Sequence, residues 1–288
     1  MANKQSTCPT PAGILLIIGG HEGKIDEAPQ NHEKPEGYDP LTVLKTFVEL
    51  IENKEAPVEI ITTGTSEGDL SFNEYKKVFT DLGLKTLNHL HHKERGDLKR
   101  DNLEDRVKNA AAFFFAGGDQ LTLTAMYGGS KFLTDLKQRY ISEKIVIAGT
   151  SAGAMALSTP MIYAGRKEVE QLGGEIKVTT GLEFLKDVCV DTHFIHRARF
   201  IRMAQVLATN PTSIGFGVDE DTALIVRNGA DVEVLGSGII TVIEGFDIDY
   251  TNIDEAGEKQ PVSIRNLKVH LLAKNDKYTI PLINPPHL

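Results

Sequence analysis

Four short runs of this chain are apolar nearly throughout: Gly13–Gly19 (GILLIIG), Val58–Thr65 (VEIITTGT), Ala111–Ala116 (AAFFFA) and Lys144–Gly149 (KIVIAG). A strand with one wet face alternates polar and apolar residues; a strand covered on both faces does not. These runs therefore predict the buried parallel strands of a covered sheet. Helical spacing fills the gaps between them. Leu41–Asn53 places Leu41, Val43, Leu44, Phe47, Val48 and Ile51 on one side with a period near 3.6. Phe72–Leu82 and Asn102–Lys108 are polar-faced helix candidates, and Gln120–Tyr140 is another, interrupted at Gly128-Gly129. Strand and helix in alternation predict a wound α/β fold: a mostly parallel sheet with helices on both faces and right-handed crossovers.

The second half changes character. Arg197–Asn210 reads as a helix ending before Pro211. Ile214–Gly217, Ala223–Arg227, Val232–Val234, Ile239–Ile243 and Val262–Leu271 are strand-like runs separated by Asn-Gly, Gly-Ser and Asn-Asp turn signals. They are expected to add hairpins to the same sheet. Gly23–Asp39 is a long polar loop. No linker, internal repeat or low-complexity stretch divides the chain, so one domain over residues 1–288 is expected.

The 288 residues carry a formal charge of −9, which argues against nucleic acid, whose recognition calls for a basic face. Two cysteines, Cys8 and Cys189, are too few for a disulfide framework. No apolar run approaches the ~18 residues of a membrane span. Met1 to Ala12 lacks the charged and apolar regions of a signal peptide. A cytoplasmic protein with no membrane or nucleic-acid partner is expected.

The sharpest motif is Gly149-Thr150-Ser151-Ala152-Gly153, which follows one predicted strand and precedes the helix-like Ala154–Ser158. This is G-x-S-x-G in the strand-turn-helix setting of a nucleophile elbow. Small residues flank the serine because the two arms of so tight a turn crowd each other. A serine nucleophile needs a base, and the base an orienting acid. His193 closes the strand-like Asp187–Asp191, at the sheet edge where wound α/β proteins place their sites. His89, His91 and His92 lie in a stretch read as solvated; if extended, His89 and His91 share a face. For the acid, Asp219, Glu220 and Asp221 follow the strand Ile214–Val218, and the motif does not choose among them. Gly117-Gly118-Asp119-Gln120 closes another strand. Its glycines let the Gly118 amide approach a reacting carbonyl as one donor of an oxyanion hole, with the amide of Ala152 as the other; Asp119 also suits a helix N-cap. Arg197, Arg199 and Arg202 follow His193, the last two sharing a helix face. Their guanidinium groups suit carboxylates. His193 and His196 form an H-x-x-H pair with no third ligand nearby, so no metal is expected. Gly19-Gly20-His21-Glu22-Gly23 lacks the spacing of a dinucleotide fingerprint, and there is no phosphate-binding Walker loop.

In this order and spacing, Leu16-Ile17-Ile18-Gly19-Gly20, Gly117-Gly118-Asp119-Gln120, the Ser151 block, Asp191-Thr192-His193-Phe194 with the three arginines, and Asp219-Glu220-Asp221-Thr222-Ala223 resemble the cyanophycinases. These are serine exopeptidases of a family that also holds dipeptidase E. The likeness runs from about Gly13 to Gly245. It implies a fold like the class I glutamine amidotransferases, which is flavodoxin-like, and a Ser–His–Glu triad of Ser151, His193 and Glu220. It implies no cofactor, a homodimer, and a substrate that is cyanophycin or another β-aspartyl peptide, with release of β-Asp-Arg dipeptides. Gln120, Asp191, Thr192, Arg197, Arg199 and Arg202 match substrate-binding positions. Thr192 is a departure: the family commonly carries glutamine there, and threonine offers no amide. A dipeptidase or isoaspartyl peptidase on short peptides is the alternative enzyme, and an amidotransferase-like binding module the alternative without catalysis.

Overall fold

The computed structural model describes residues 9–22, 38–165, 176–255 and 260–281. The expected loop at Gly23–Asp39 lies outside them, except for Tyr38 and Asp39. Each apolar run forms its strand. Ile14–Ile18, Val146–Thr150, Ala112–Phe115, Val58–Ile61 and Leu87–Leu90 lie side by side in that order, all parallel. On the other side of Ile14–Ile18 the sheet continues antiparallel through Thr222–Arg227, Asp231–Gly236 and Lys277–Thr279. The result is an α/β fold around an eight-stranded mixed sheet. The helices are α1 (Thr42–Leu50), α2 (Gly68–Asp81), α3 (Leu103–Asn109), α4 (Gln120–Tyr127), α5 (Lys131–Ser142), α6 (Ala152–Ala156) and α7 (Phe200–Thr209).

Both faces of the sheet are covered, which is why its central strands read as unbroken apolar runs. On one face α1 and α2 close over Phe47, Phe79 and Phe114, whose rings lie 5.1 to 5.3 Å apart. On the other, α3, α4 and α5 pack Tyr127, Phe132 and Leu136 against Phe113 and Phe115.

Several expectations about the elements need correction. The later strands do not all join one sheet. Ile214–Val218, Ile240–Glu244 and Lys268–Leu272 form a second, six-stranded sheet with Val188–Thr192, Ser158–Thr159 and Leu185–Lys186. A local apolar pattern marks a strand but carries no information about its partner, so the division was not visible. Gln120–Tyr140 is two helices. Gly129 takes a φ of +66° and the Ser130 hydroxyl caps α5 by accepting from the Leu133 amide. Val262–Leu271 breaks into Ile264–Arg265 and Lys268–Leu272 at Asn266, which has a φ of +67°. The helix after Ser151 has the five-residue length of Ala154–Ser158 but starts two residues earlier, at Ala152, and Ser158 begins a strand. The arginine-bearing helix starts only at Phe200; Ala198 has a φ of +52°, so Arg197 and Arg199 precede the helix instead of lying on its face.

Candidate active site

The strand Val146–Thr150 delivers Ser151 into a turn with φ 50° and ψ −118°, a left-handed conformation that non-glycine residues rarely hold. The flanking glycines are required sterically. A Cβ on Gly149 would stand 2.7 Å from the Gly153 carbonyl, and one on Gly153 would stand 2.1 Å from the Phe115 oxygen. The helix beyond has only five residues, so what it offers is the individual amide of Ala152, its first residue, which has no acceptor within the helix.

His193 follows Val188–Thr192 and Glu220 follows Ile214–Val218, both in the second sheet. Ser151 Oγ lies 2.9 Å from His193 Nε2, and His193 Nδ1 lies 2.7 Å from Glu220 Oε1. Of the three acidic residues left open by the motif, Glu220 is the one that meets the histidine. Asp221 instead accepts from the Tyr38 hydroxyl. Burial lowers the pKa of His193, outweighing the opposite pull of Glu220. Burial is the largest single influence on Glu220 and raises its pKa, but the hydrogen bond and charge of His193, with His196 and His21 nearby, together outweigh it and the pKa is lowered. Both shifts favour a neutral imidazole beside an ionised carboxylate, with the Nδ1 proton donated to Glu220 and Nε2 free to accept from the Ser151 hydroxyl. A hydroxyl so placed can lose its proton as it attacks an acyl carbon.

The end of the central strand holds all three segments in register. The Ile18 carbonyl accepts from the Ser151 amide (3.1 Å), the Gly19 carbonyl from the His193 amide (3.0 Å) and the Gly20 carbonyl from the Asp221 amide (3.0 Å). Gly20 lies so close to the imidazole that a Cβ would stand 2.4 Å from His193 Cε1.

Two cavities open on Ser151. One, of about 370 Å³, is walled by Glu22, Glu67, Glu74 and Tyr75; the other, of about 210 Å³, by Gln120, Tyr163, Thr192, Arg199 and Arg202. Gly118 and Arg197 border both. A larger cavity of about 650 Å³, beside α5, contains none of these residues.

The structure changes the expected parts of several residues. Asp191 is fully buried, and its carboxylate accepts from Arg199 Nη1 (2.8 Å), Arg202 Nε (2.5 Å) and Arg202 Nη2. It cannot also face a substrate. Arg199 donates to the Thr192 carbonyl as well, at 2.7 Å. Arg197 is exposed and forms no ion pair among the described residues. Gln120 donates its amide to the Ile162 carbonyl at 2.8 Å. Thr192 Oγ1 is buried in the cavity wall without a hydrogen-bond partner among the described residues. The Gly118 amide meets no acceptor among them either, and Asp119 does cap α4, accepting from the Leu121 amide.

The histidine stretch is not solvated as expected. His89 ends up stacked on Phe72 at 4.4 Å, and His92 is 4% exposed and bonded to Tyr127 and Asp101. Among the described residues no three His, Cys, Asp or Glu side chains group as metal ligands. Sequence reading missed Glu22, which accepts from the Tyr75 and Thr150 hydroxyls, both at 2.8 Å. An acid two residues after the Gly19-Gly20 strand end was the available signal.

A covered α/β sheet with a serine, an imidazole and a carboxylate in line has the arrangement of a serine hydrolase. The model of Peptidase family S51 matches residues 35–234, and the chain belongs to that family. The chain is 31% identical over 268 residues to the cyanophycinase of Synechococcus elongatus, covering 93% of this chain and 79% of that one. It is 28% identical over 264 residues to the cyanophycinase of Geminocystis herdmanii, covering 92% of each. A crystal structure of a peptidase from an acI-B1 Actinobacterium shares the fold, with a TM-score of 0.63 at 22% identity, over 94% of this chain and 98% of that one.

The Asp191 cluster makes a stability prediction. Asp191→Asn leaves the buried Arg202 and the partly buried Arg199 without their counter-charge and should cost about 3–5 kcal/mol. Urea unfolding reads this as a lower midpoint at unchanged slope. An unchanged midpoint would show that the carboxylate does not compensate those cations.

Proposed function

We propose that this chain is a serine exopeptidase that cleaves cyanophycin into β-Asp-Arg dipeptides, with Ser151, His193 and Glu220 as its triad. The observation that carries the reading is the continuous contact from Ser151 Oγ through His193 to Glu220. Ser151 Oγ bonds to the scissile carbonyl carbon as its proton passes to His193 Nε2. The carbonyl oxygen becomes an oxyanion that accepts from the amides of Gly118 and Ala152. Collapse expels the amine, which takes the proton from His193. Water then attacks the acyl-enzyme, giving its proton to His193, and the acid is released as Ser151 regains its own. Glu220 orients the imidazole and stabilises its charged form. No step calls for a cofactor.

The two cavities suit a substrate that carries both signs of charge. A cyanophycin unit presents a backbone carboxylate and an arginine guanidinium. Arg197, with Arg199 and Arg202 held behind it by Asp191, forms the cationic side, while Gln120 and Thr192 complete that wall. Glu22, Glu67 and Glu74 form the anionic side. The named relatives support this substrate, since they are cyanophycinases. The proposal includes the cytoplasmic homodimer that the sequence resemblance implies. No helix among the described residues is long and apolar enough to cross a membrane.

Purified cyanophycin, scored by dipeptide release, tests the proposal. Wild type should release dipeptides, and Ser151→Ala should fold normally and lose activity by on the order of 10⁴ or more. Release from short β-aspartyl peptides with the polymer left intact would turn the reading to a dipeptidase. Near-normal turnover by Ser151→Ala would remove the triad.

The lowered His193 pKa gives a direction for pH dependence. The neutral imidazole is the base, so kcat/KM should rise with pH as His193 loses its proton and reach half its plateau below the ordinary imidazole value of about 6.5. A half-maximal point above that value would contradict the desolvation assigned to His193.

A further inference from the structure

A second group of polar side chains is buried behind the Gly118 turn, and none of it takes part in the steps above. The segment after Val58–Ile61 turns through Thr62–Thr65, closed by the Thr65 amide donating to the Thr62 carbonyl at 3.1 Å. Gly64 in this turn meets the Gly117–Asp119 segment backbone to backbone. Its carbonyl accepts from the Asp119 amide at 2.8 Å, and a Cβ on Gly118, whose φ is +132°, would stand 2.2 Å from that same oxygen. The place of the Gly118 peptide is therefore set from outside its own strand, by Gly64.

Gly64 is in turn anchored by its neighbour. Thr63 is 4% exposed, and its Oγ1 accepts from the His92 amide at 3.0 Å and lies 2.7 Å from Tyr127 Oη. Tyr127 Oη lies 2.9 Å from His92 Nδ1, and His92 Nε2 lies 3.3 Å from Asp101 Oδ2, which also accepts from Arg106 Nη1. The proton positions follow in sequence. An ionised carboxylate only accepts, so His92 Nε2 carries the hydrogen. Burial lowers the His92 pKa, so the ring is neutral and Nδ1 accepts from the Tyr127 hydroxyl. Tyr127 has then used its only proton, and its oxygen accepts from Thr63. Each proton has one place, and the chain of donors runs from Thr63 through Tyr127 and His92 to Asp101. A residue needed only to fill space beside Phe115 and Phe132 would require no hydroxyl here.

We propose that Thr63, Tyr127 and His92 are positioning residues that fix Gly64 and, through it, the Gly118 amide for the tetrahedral intermediate. The inference rests on the reading of that amide as an oxyanion donor. A donor displaced by a fraction of an ångström still lets substrate bind but stabilises the transition state less, so the effect belongs in kcat and not in KM.

Tyr127→Phe keeps the ring and deletes the oxygen. It should lower kcat on cyanophycin by on the order of ten-fold, with KM within about two-fold of wild type. Thr63→Val should reproduce the loss, Thr63→Ser should restore kcat, and the Tyr127→Phe/Thr63→Val double variant should be no slower than the slower single one. Urea unfolding of each variant separates this from a loss of folded protein, and Thr63→Val against Thr63→Ser decides the matter should Tyr127→Phe not fold. Wild-type kcat in folded Tyr127→Phe or Thr63→Val, or losses that multiply in the double variant, would overturn the proposal. Failure of the triad itself would show elsewhere, as turnover by Ser151→Ala.

Discussion

Three backbone hydrogen bonds at the end of one strand organise this molecule. Ile18, Gly19 and Gly20 offer successive carbonyls to the amides of Ser151, His193 and Asp221, and the Gly19 amide donates to the Thr222 carbonyl. The serine comes from the eight-stranded sheet; the histidine and the glutamate come from strands of the six-stranded one. Without a shared anchor, two sheets packed through side chains would leave their relative position to the packing. The anchor demands that nothing project from it. A Cβ on Gly19 would stand 1.9 Å from the Asp219 oxygen, and Gly20, with a φ of +105°, faces the imidazole edge. Both glycines are there for close approach as much as for backbone freedom.

Charge is arranged around that anchor in layers. Nearest the serine, a neutral imidazole donates its Nδ1 proton to an ionised Glu220 along a 2.7 Å contact. Behind the cationic cavity, Asp191 holds Arg199 and Arg202 in fixed orientations and leaves a net positive charge there, since two guanidinium groups meet one carboxylate. A buried pair of this kind adds little to stability compared with an apolar replacement. It gives the cavity rigid, oriented donors. The acidic side of the site is built differently, from Glu67 and Glu74 on the exposed surface of α2 and its approach, with Glu22 buried between Tyr75 and Thr150.

The covered parallel strands were legible because burial on both faces imposes a local composition, and the elbow because crowding imposes small residues at Gly149 and Gly153. The pairing of Glu220 with His193 was not. Asp219, Glu220 and Asp221 are alike as a pattern, and they lie beyond the paired residues of their strand, so only the folded chain shows that Glu220 is the one that meets His193. The role of Asp191 was hidden for a related reason. Its partners lie 8 and 11 residues away and meet it only because the chain breaks at Ala198 before α7 begins. His92 read as one of a solvated trio because the hydroxyls that satisfy it, on Tyr127 and Thr63, are 35 and 29 residues distant.

The central claim is that the anchor holds Ser151 as the activated hydroxyl of the proposed triad. Treatment of the folded protein with an aryl phosphonate ester at neutral pH, followed by digestion and mass spectrometry, tests it most directly. The account predicts a single adduct, on Ser151. An adduct on another side chain, or an unlabelled Ser151 in protein that still hydrolyses cyanophycin, would contradict it.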